Sequence, residues 1–334
     1  MNAITTTTPP RRPRSALTAF TTTWASQIGI TVAFLALWLA FIVLAPNTFL
    51  SDRIYLAFAQ TVPYIAIVAL FLTMVIIAGD IDLSFASLMA LGMVGFVFTW
   101  QATGSVELGV LAALAVGGLG GLFNGLVITY VGIPSLVATI GSWYLFRGLV
   151  LVLVNGRSYA LVTASTAPSY NLLVGKLGGV VPMEFVWLLI LAVVAWVLLN
   201  RHRLGQNAYV IGDNRQAAQL MGIPIRRARI LLFVLTGVAA ALAGLMVSFQ
   251  IVNFYPTMGD GFQLPTLAAV FVGGTSVFGG RGSIYGTILG AFMIGTIQAG
   301  IVAVGLTDYY TNLIYGAVIL VAVAVHALLQ RRFE

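Results

Sequence analysis

Two carboxylates stand two residues apart in Gly79-Asp80-Ile81-Asp82, with long apolar runs on either side. Paired carboxylates suit glycoside hydrolysis, where one acts as acid and the other as base or nucleophile. At this spacing on a short turn, Asp80 and Asp82 would not flank a glycosidic bond. A carboxylate near a membrane needs a counter-charge, water or a helix N-terminus. Asp82 is placed to cap a helix opening around Ser84 by accepting its free N–H groups. Capping or gating is therefore the first reading of the pair, and direct contact with a sugar is the alternative.

Arg147 is the one basic residue inside an apolar run. A lone charge facing lipid costs about 2.5–3.5 kcal/mol or more, so it should face the bundle interior or an aqueous cavity. The bland reading is snorkelling to the interface, with Asn155 and Arg157 close by. Trp143 and Arg147, with Asn124, Gln298 and Asn312, are pathway candidates, because planar hydrogen-bonding groups and aromatic faces suit a polar solute. Buried amides are otherwise interhelical glue.

Other chemistries are missing. The chain has no cysteine, which removes disulfides, thiolate metal sites and thiol nucleophiles. His202 and His326 are far apart, and no metal-binding motif surrounds either. A phosphate-binding loop needs Gly-Lys-Ser or Gly-Lys-Thr after spaced glycines. The single lysine, Lys176, precedes Leu177, and Gly279-Gly280-Arg281-Gly282 has no lysine. The chain is not expected to hydrolyse ATP, to act as an enzyme or to hold a cofactor.

These residues must be positioned by helices in lipid. Of 334 residues 60% are hydrophobic and 7% charged, with a mean hydropathy of +1.02. Soluble domains carry about 25% charged residues, and an apolar exterior is what lipid requires. The net charge of +7 needs no nucleic acid, because basic residues collect on cytoplasmic loops. The sequence predicts an all-α integral membrane protein of about ten transmembrane helices. Expected spans are 26–45, 55–78, 85–101, 108–130, 135–154, 183–199, 230–250, 263–278, 284–305 and 309–329, the eighth short and glycine-rich enough to be broken or re-entrant. Residues 1–25, rich in Thr, Pro and Arg, read as a disordered cytoplasmic arm. Residues 26–330 read as one polytopic domain.

With the N-terminus inside and ten crossings, twelve arginines fall on the cytoplasmic side, among them Arg201, Arg229 and Arg332. Only Arg53, Arg157 and Lys176 fall opposite. That is a strong inside bias, and an even number of spans preserves it. Gly117, Gly121 and Gly125 share one helix face, as do Gly286 and Gly290, which predicts close helix packing. Gly79-Asp80 and Gly259-Asp260 each follow a span, five spans apart, and suggest an inverted repeat of two five-helix halves.

The segment 200–228 carries Arg201, Arg203, Arg215, Arg226 and Arg227. Asn214 is placed to cap a short helix containing Ala217, Ala218 and Leu220, ended by Gly222, with Pro224 blocking continuation. Such a helix on the inner membrane face suits a seat on a cytoplasmic partner; the bland reading is a basic anchor loop.

Four blocks carry a family resemblance. Ala78-Gly79-Asp80-Ile81-Asp82-Leu83-Ser84 resembles the Gly-Ile-Asp-Leu-Ser signature of permeases in bacterial ribose, xylose, arabinose and galactose importers of the ATP-binding-cassette (ABC) type. Asn124-Gly125, Ile133-Pro134 and Thr139-Ile140-Gly141 look like the next block. Val210-Ile211-Gly212-Asp213-Asn214, Ala217-Ala218 and Gly222-Ile223 resemble the cytoplasmic loop of that family, and Val272-Gly273-Gly274-Thr275-Ser276 with Gly279-Gly280-Arg281-Gly282 its late glycine block. The family usually has Gly at the places of Asp80 and Ala86. The resemblance implies a dimeric permease core, homomeric or heteromeric, with a cytoplasmic ATPase subunit and a periplasmic substrate-binding protein. Its place is the bacterial inner membrane, with both termini cytoplasmic. Asn214, Ala217, Ala218, Gly222 and Ile223 would form the ATPase contact, and the cargo would be a sugar or polyol. Related permeases carry branched-chain amino acids or nucleosides, so that cargo stays an alternative. An ion-coupled secondary transporter is a second one, though Asp80 and Asp82 alone offer it carboxylates, both at span edges.

Overall fold

The structure, a computed structural model, describes residues 16–306 and 309–331. It is helical nearly throughout. The first part comprises α1 (Ala16–Leu44), α2 (Pro46–Phe49), α3 (Asp52–Ile77), α4 (Phe85–Thr103), α5 (Val106–Leu126) and α6 (Ser135–Val154). Next come α7 (Pro168–Val174), α8 (Met183–Asn200), α9 (Arg203–Asp213) and α10 (Arg215–Leu220). The chain closes with α11 (Ile225–Gln250), α12 (Gln263–Val272), α13 (Ile284–Ala303) and α14 (Tyr309–Arg331). Among the described residues, eight helices are long and apolar enough to cross a membrane: α1, α3, α4, α5 with the π-turn that prolongs it to Val131, α6, α8, α11 and α13. The fold is that of an all-α integral membrane protein.

The other two expected spans take a different form. The eighth, 263–278, is helical only as α12, whose ten residues rise about 15 Å. That covers half of a hydrocarbon core about 30 Å thick. Gly273 and Gly274 then turn the chain into an irregular segment. The tenth lies in α14, where the apolar stretch described is Tyr310–Val321. Residues 1–15 of the expected arm, and Arg332, lie outside the described residues. Helix α1 begins at Ala16 rather than at residue 26, because no proline or glycine separates Ala16 from the apolar run. Likewise α11 begins at Ile225 rather than 230, directly behind Pro224, so Arg226, Arg227 and Arg229 are helical.

Local chemistry sets the ends. The Ser51 side chain accepts from Arg53 N–H at the start of α3, and Ser105 Oγ accepts from Leu108 N–H at the start of α5. Helix α6 follows Pro134, which cannot donate a backbone bond.

Helix α3 is the axis of the bundle, with every residue from Val62 to Ile77 buried except Ile65. Around it lie α8, α11, α12 and α13. Helix α5 packs between α4 and α11 along the predicted glycine face. A side chain at Gly117 would meet Gly237 O and Ala241, at Gly121 Phe233 O, and at Gly125 Ile230 Cα. Gly286 and Gly290 meet Gly273 and Ala269 of the α12 segment in the same way. In lipid, where apolar surface gains little by leaving its solvent, such close backbone approach is what holds helices together.

At one end of the bundle Tyr159–Ala160 pairs antiparallel with Asn253–Phe254, joining the segments behind α6 and α11. At the other end the chain behind α12 and helix α9 close over the end of α3. Gly280 N–H donates to Ile77 O (2.9 Å), and Tyr209 O–H donates to Gly282 O (2.8 Å). Gly212 of α9 lies so near Ile77 O that no Cβ fits between.

Candidate functional site

The two Gly-Asp dipeptides occupy corresponding places. Each follows a 26-residue helix, α3 or α11, and each precedes a further helix, α4 or α12. Gly79 and Gly259 both have positive φ, +79° and +87°, a conformation that a Cβ would oppose. Around them the chain leaves helical geometry, so its backbone groups need partners other than lipid.

The first break runs from Gly79 to Ser84, and protein satisfies it almost completely. Asp80 N–H donates to Val75 O (3.1 Å), and Ile81 N–H to Ser135 Oγ (3.1 Å). Thr139 Oγ1 donates to Ile81 O (3.2 Å). Asp82 Oδ1 accepts from both the N–H and the Oγ of Ser84, at 2.8 and 2.7 Å. Asn124 Nδ2 of α5 donates to the same Ser84 Oγ (2.6 Å). Asn124, Ser84 and Asp82 thus form one buried chain, with Asp82 Oδ2 enclosed and without a protein donor. The expected cap is present in altered form: the N-cap position is Ser84, whose own side chain makes no capping bond, and Asp82 supplies the acceptor from two residues upstream.

Asp80 has a different partner. Arg229, in the second turn of α11, donates through Nε and Nη2 to its two oxygens, at 2.5 and 2.6 Å. Both side chains are buried, 9% and 6% exposed. The planar guanidinium fork matches a carboxylate edge, the geometry in which such pairs are strongest.

The second break, 251–262, is held by Arg147. Its guanidinium donates to Pro256 O, to Met258 O (2.8 Å) and to Asp260 Oδ1 (2.7 Å). The Arg147 side chain is 12% exposed and bonds two backbone carbonyls and one carboxylate, while its Nε is buried without a partner. Ser135, Thr139 and Arg147 are spaced by four and eight residues, so one face of α6 serves both breaks. Between them, Trp143 O accepts from Ser87 Oγ of α4 (2.8 Å), while Trp143 Nε1 is buried without a partner.

The structure thus gathers Asp80, Asp82, Asn124, Trp143 and Arg147 along α6 and the first break. Gln298 on α13 and Asn312 on α14 are exposed and stand outside this network. Sequence reasoning missed Arg229, Ser84, Ser135 and Thr139. Arg229 sits at the edge of a basic segment and reads there as one more anchoring charge. The four-residue spacing of Ser135 and Thr139 was the available signal for those two, and Ser84 was read only as the start of a helix. Glu184 was missed as well; its carboxylate is buried at the start of α8 and accepts from Tyr64 O–H (3.4 Å).

The segment between α8 and α11 contains the expected short helix. Asn214 Oδ1 accepts from Ala217 N–H (2.9 Å), Gly222 has φ +72°, and Ile223 N–H returns to Ala218 O (3.1 Å). Ala218 is buried, whereas Leu220 and Met221 are 90% and 70% exposed.

This arrangement of long apolar helices, buried polar breaks and a capped helix outside the spans defines a multi-pass membrane permease, and the chain belongs to the family described as the permease component of branched-chain amino acid transport systems, whose model matches residues 54–323. Among its relatives is the ribose import permease protein RbsC of Escherichia coli K12, 33% identical over 92% of this chain and 95% of that protein. The autoinducer 2 import system permease protein LsrD of Yersinia enterocolitica is 34% identical over 78% of this chain and 79% of that protein. The LsrD protein of Photorhabdus luminescens is 33% identical over 78% of each. No solved structure matches the chain. The chain is the permease component of an ABC importer, a transport subunit and not an enzyme.

Proposed function

We propose that this permease carries a neutral sugar or polyol inward across the bacterial inner membrane. Delivery is by a periplasmic substrate-binding protein, and a separate cytoplasmic ATPase subunit drives the cycle across a permease dimer. The similarity to a ribose import permease along nearly the whole of both chains carries the reading of cargo. The polar breaks agree with it. An ion-coupled carrier needs an embedded carboxylate free to load and unload its ion. At the breaks Asp80 gives both of its oxygens to Arg229, while Asp82 accepts from Ser84 through one oxygen only.

Energy enters through α10. An exposed Leu220–Met221 corner on a helix fixed by Asn214 at one end and by Ile223 at the other is suited to a groove in the ATPase. Beneath it, α9 rests backbone to backbone on the end of α3 at Gly212, so a push on α10 reaches the central helix without a deformable side chain between. Asn214, Ala217, Ala218, Gly222 and Ile223 are the coupling residues in this reading. The α10 end is cytoplasmic and the Tyr159–Phe254 end periplasmic.

Reconstitution of the permease with its ATPase and binding protein tests this. ATP-dependent uptake of ribose or a similar sugar is expected, with none of leucine or adenosine; uptake of leucine alone would overturn the cargo. Gly222→Leu and Ala217→Glu should lose both ATPase co-purification and uptake while still inserting. Full retention of both would return the segment to a topological anchor. A cysteine replacing Ser158 should react with an impermeant thiol reagent in intact cells, and one replacing Gln216 only after the membrane is opened.

A further inference from the structure

At the α10 end of the bundle a cavity of about 920 Å³ opens between the end of α5, the start of α6, α10 and the first turns of α11. Four arginines line it, Arg215, Arg226, Arg227 and Arg229, against one carboxylate, Asp80. Arg229 takes one hydrogen bond to each of its oxygens, and Asp80 acts on Arg215 only through space. Among the described residues the ion pairs are Arg229–Asp80 and Arg147–Asp260. Arg215, Arg226 and Arg227 thus face the cavity without a carboxylate of their own. Burial of Arg215, then the nearby Arg229 charge, hold its guanidinium below the ordinary arginine value against the smaller opposing pull of Asp80. The cavity is short of negative charge.

Its rim is built for a membrane interface. The Arg226 guanidinium lies 5.2 Å from the centre of the Tyr130 ring, a cation–π contact. Tyr130, Val131 and Val137 expose 65%, 69% and 61% of their surface beside the opening. An exposed aromatic ring with bare aliphatic side chains next to it suits a surface that acyl chains cover. A phosphate offers the oxygens that the arginine fork fits.

We propose that this cavity is a binding site for a phosphate-bearing anion, seated between α6, α10 and α11 and held by Arg215, Arg226 and Arg227. The headgroup of an anionic phospholipid fits it, with the acyl chains lying along the Tyr130–Val137 flank. The site stands on charge and shape at the cavity and does not depend on what the permease transports. It adjoins α10, so an occupant would brace that helix from the membrane side.

The test uses the purified full-length chain in detergent and native mass spectrometry. Phosphatidylglycerol and phosphatidylcholine with identical acyl chains are titrated in parallel. The wild type should retain phosphatidylglycerol preferentially. Arg226→Gln/Arg227→Gln should lower that preference about ten- to thirtyfold, the contribution of two interfacial arginines. Arg201→Gln, at a second cavity that has Arg201 as its one cationic side chain, should leave it unchanged. Monodispersity by gel filtration confirms that each variant is folded. Inorganic phosphate is the second arm. If it displaces phosphatidylglycerol at equal concentration, the anion is a soluble phosphate; if it does not, the lipid is the occupant. Equal retention of both lipids by the wild type, or an unchanged preference in the double variant, would overturn the proposal. So would a double variant whose one defect is loss of the ATPase, which would make the cavity a protein seat.

Discussion

The two Gly-Asp breaks use the same pair of charges in opposite ways. At the first, Asp80 and Arg229 are both buried and bonded through both carboxylate oxygens. At the second, Asp260 is 48% exposed and gives one oxygen to Arg147, whose other bonds go to Pro256 O and Met258 O. In the first break the ion pair is itself the joint between α11 and the chain behind α3. In the second the cation ties a loop through its backbone, and the carboxylate is an accessory. A matched sequence signature therefore does not imply a matched mechanical role; burial decides which partner matters.

The comparison can be broken at its strongest point first. Removing one member of a buried ion pair leaves a charge without a partner and costs about 3–5 kcal/mol. Asp80→Asn and Arg229→Met should each lower the thermal midpoint of the detergent-solubilised protein by the largest margin of the set. The double variant should recover much of the loss, as apolar replacement of a buried pair often does. If the double variant is as unstable as either single one, the pair is not the joint described here.

Arg147→Leu comes next. It removes bonds from a charged group to two carbonyls, worth about 1.5–3 kcal/mol each before relaxation, and frees the 251–262 loop. Lower uptake with normal insertion is expected, together with faster proteolysis of that loop. Arg147→Lys should recover little, because an ammonium does not bridge the same acceptors in one plane. Unchanged uptake and proteolysis in Arg147→Leu would reduce the clamp to an incidental contact.

Asp260→Asn should do least, about 0–1 kcal/mol, the range of an exposed ion pair. A loss as large as that of Asp80→Asn would erase the contrast between the two breaks.

How far the sequence foretold this depends on whether a feature is set locally. Eight of the ten expected spans were legible from apolar run length, and the glycine face of α5 from its four-residue spacing, because both are properties of one helix. The Asn214 cap and the Gly222 ending were legible for the same reason. The Asp80–Arg229 pair was not, because its members stand 149 residues apart and Arg229 is disguised by neighbouring arginines. Arg147 was correctly singled out as an anomalous charge, yet its partners are mainly backbone carbonyls, which no residue type reveals. Gln298 and Asn312 were chosen on residue type alone, and both proved exposed.

The shortness of α12 bears on how the protein is made. A helix of ten residues, Gln263 and Thr266 among them, is too short to partition into a bilayer by itself, for which about twenty apolar residues are needed. The segment leaves the ribosome with an irregular stretch behind it, whose N–H and C=O groups lipid cannot satisfy. One such partner, Ile77 O, already waits at the end of α3 for Gly280 N–H, in a helix synthesised about two hundred residues earlier. Insertion of α12 is therefore expected to follow that of the helices it docks on and to finish together with α13. Nascent chains arrested just after residue 283 should leave this segment accessible, and chains extended past α13 should protect it.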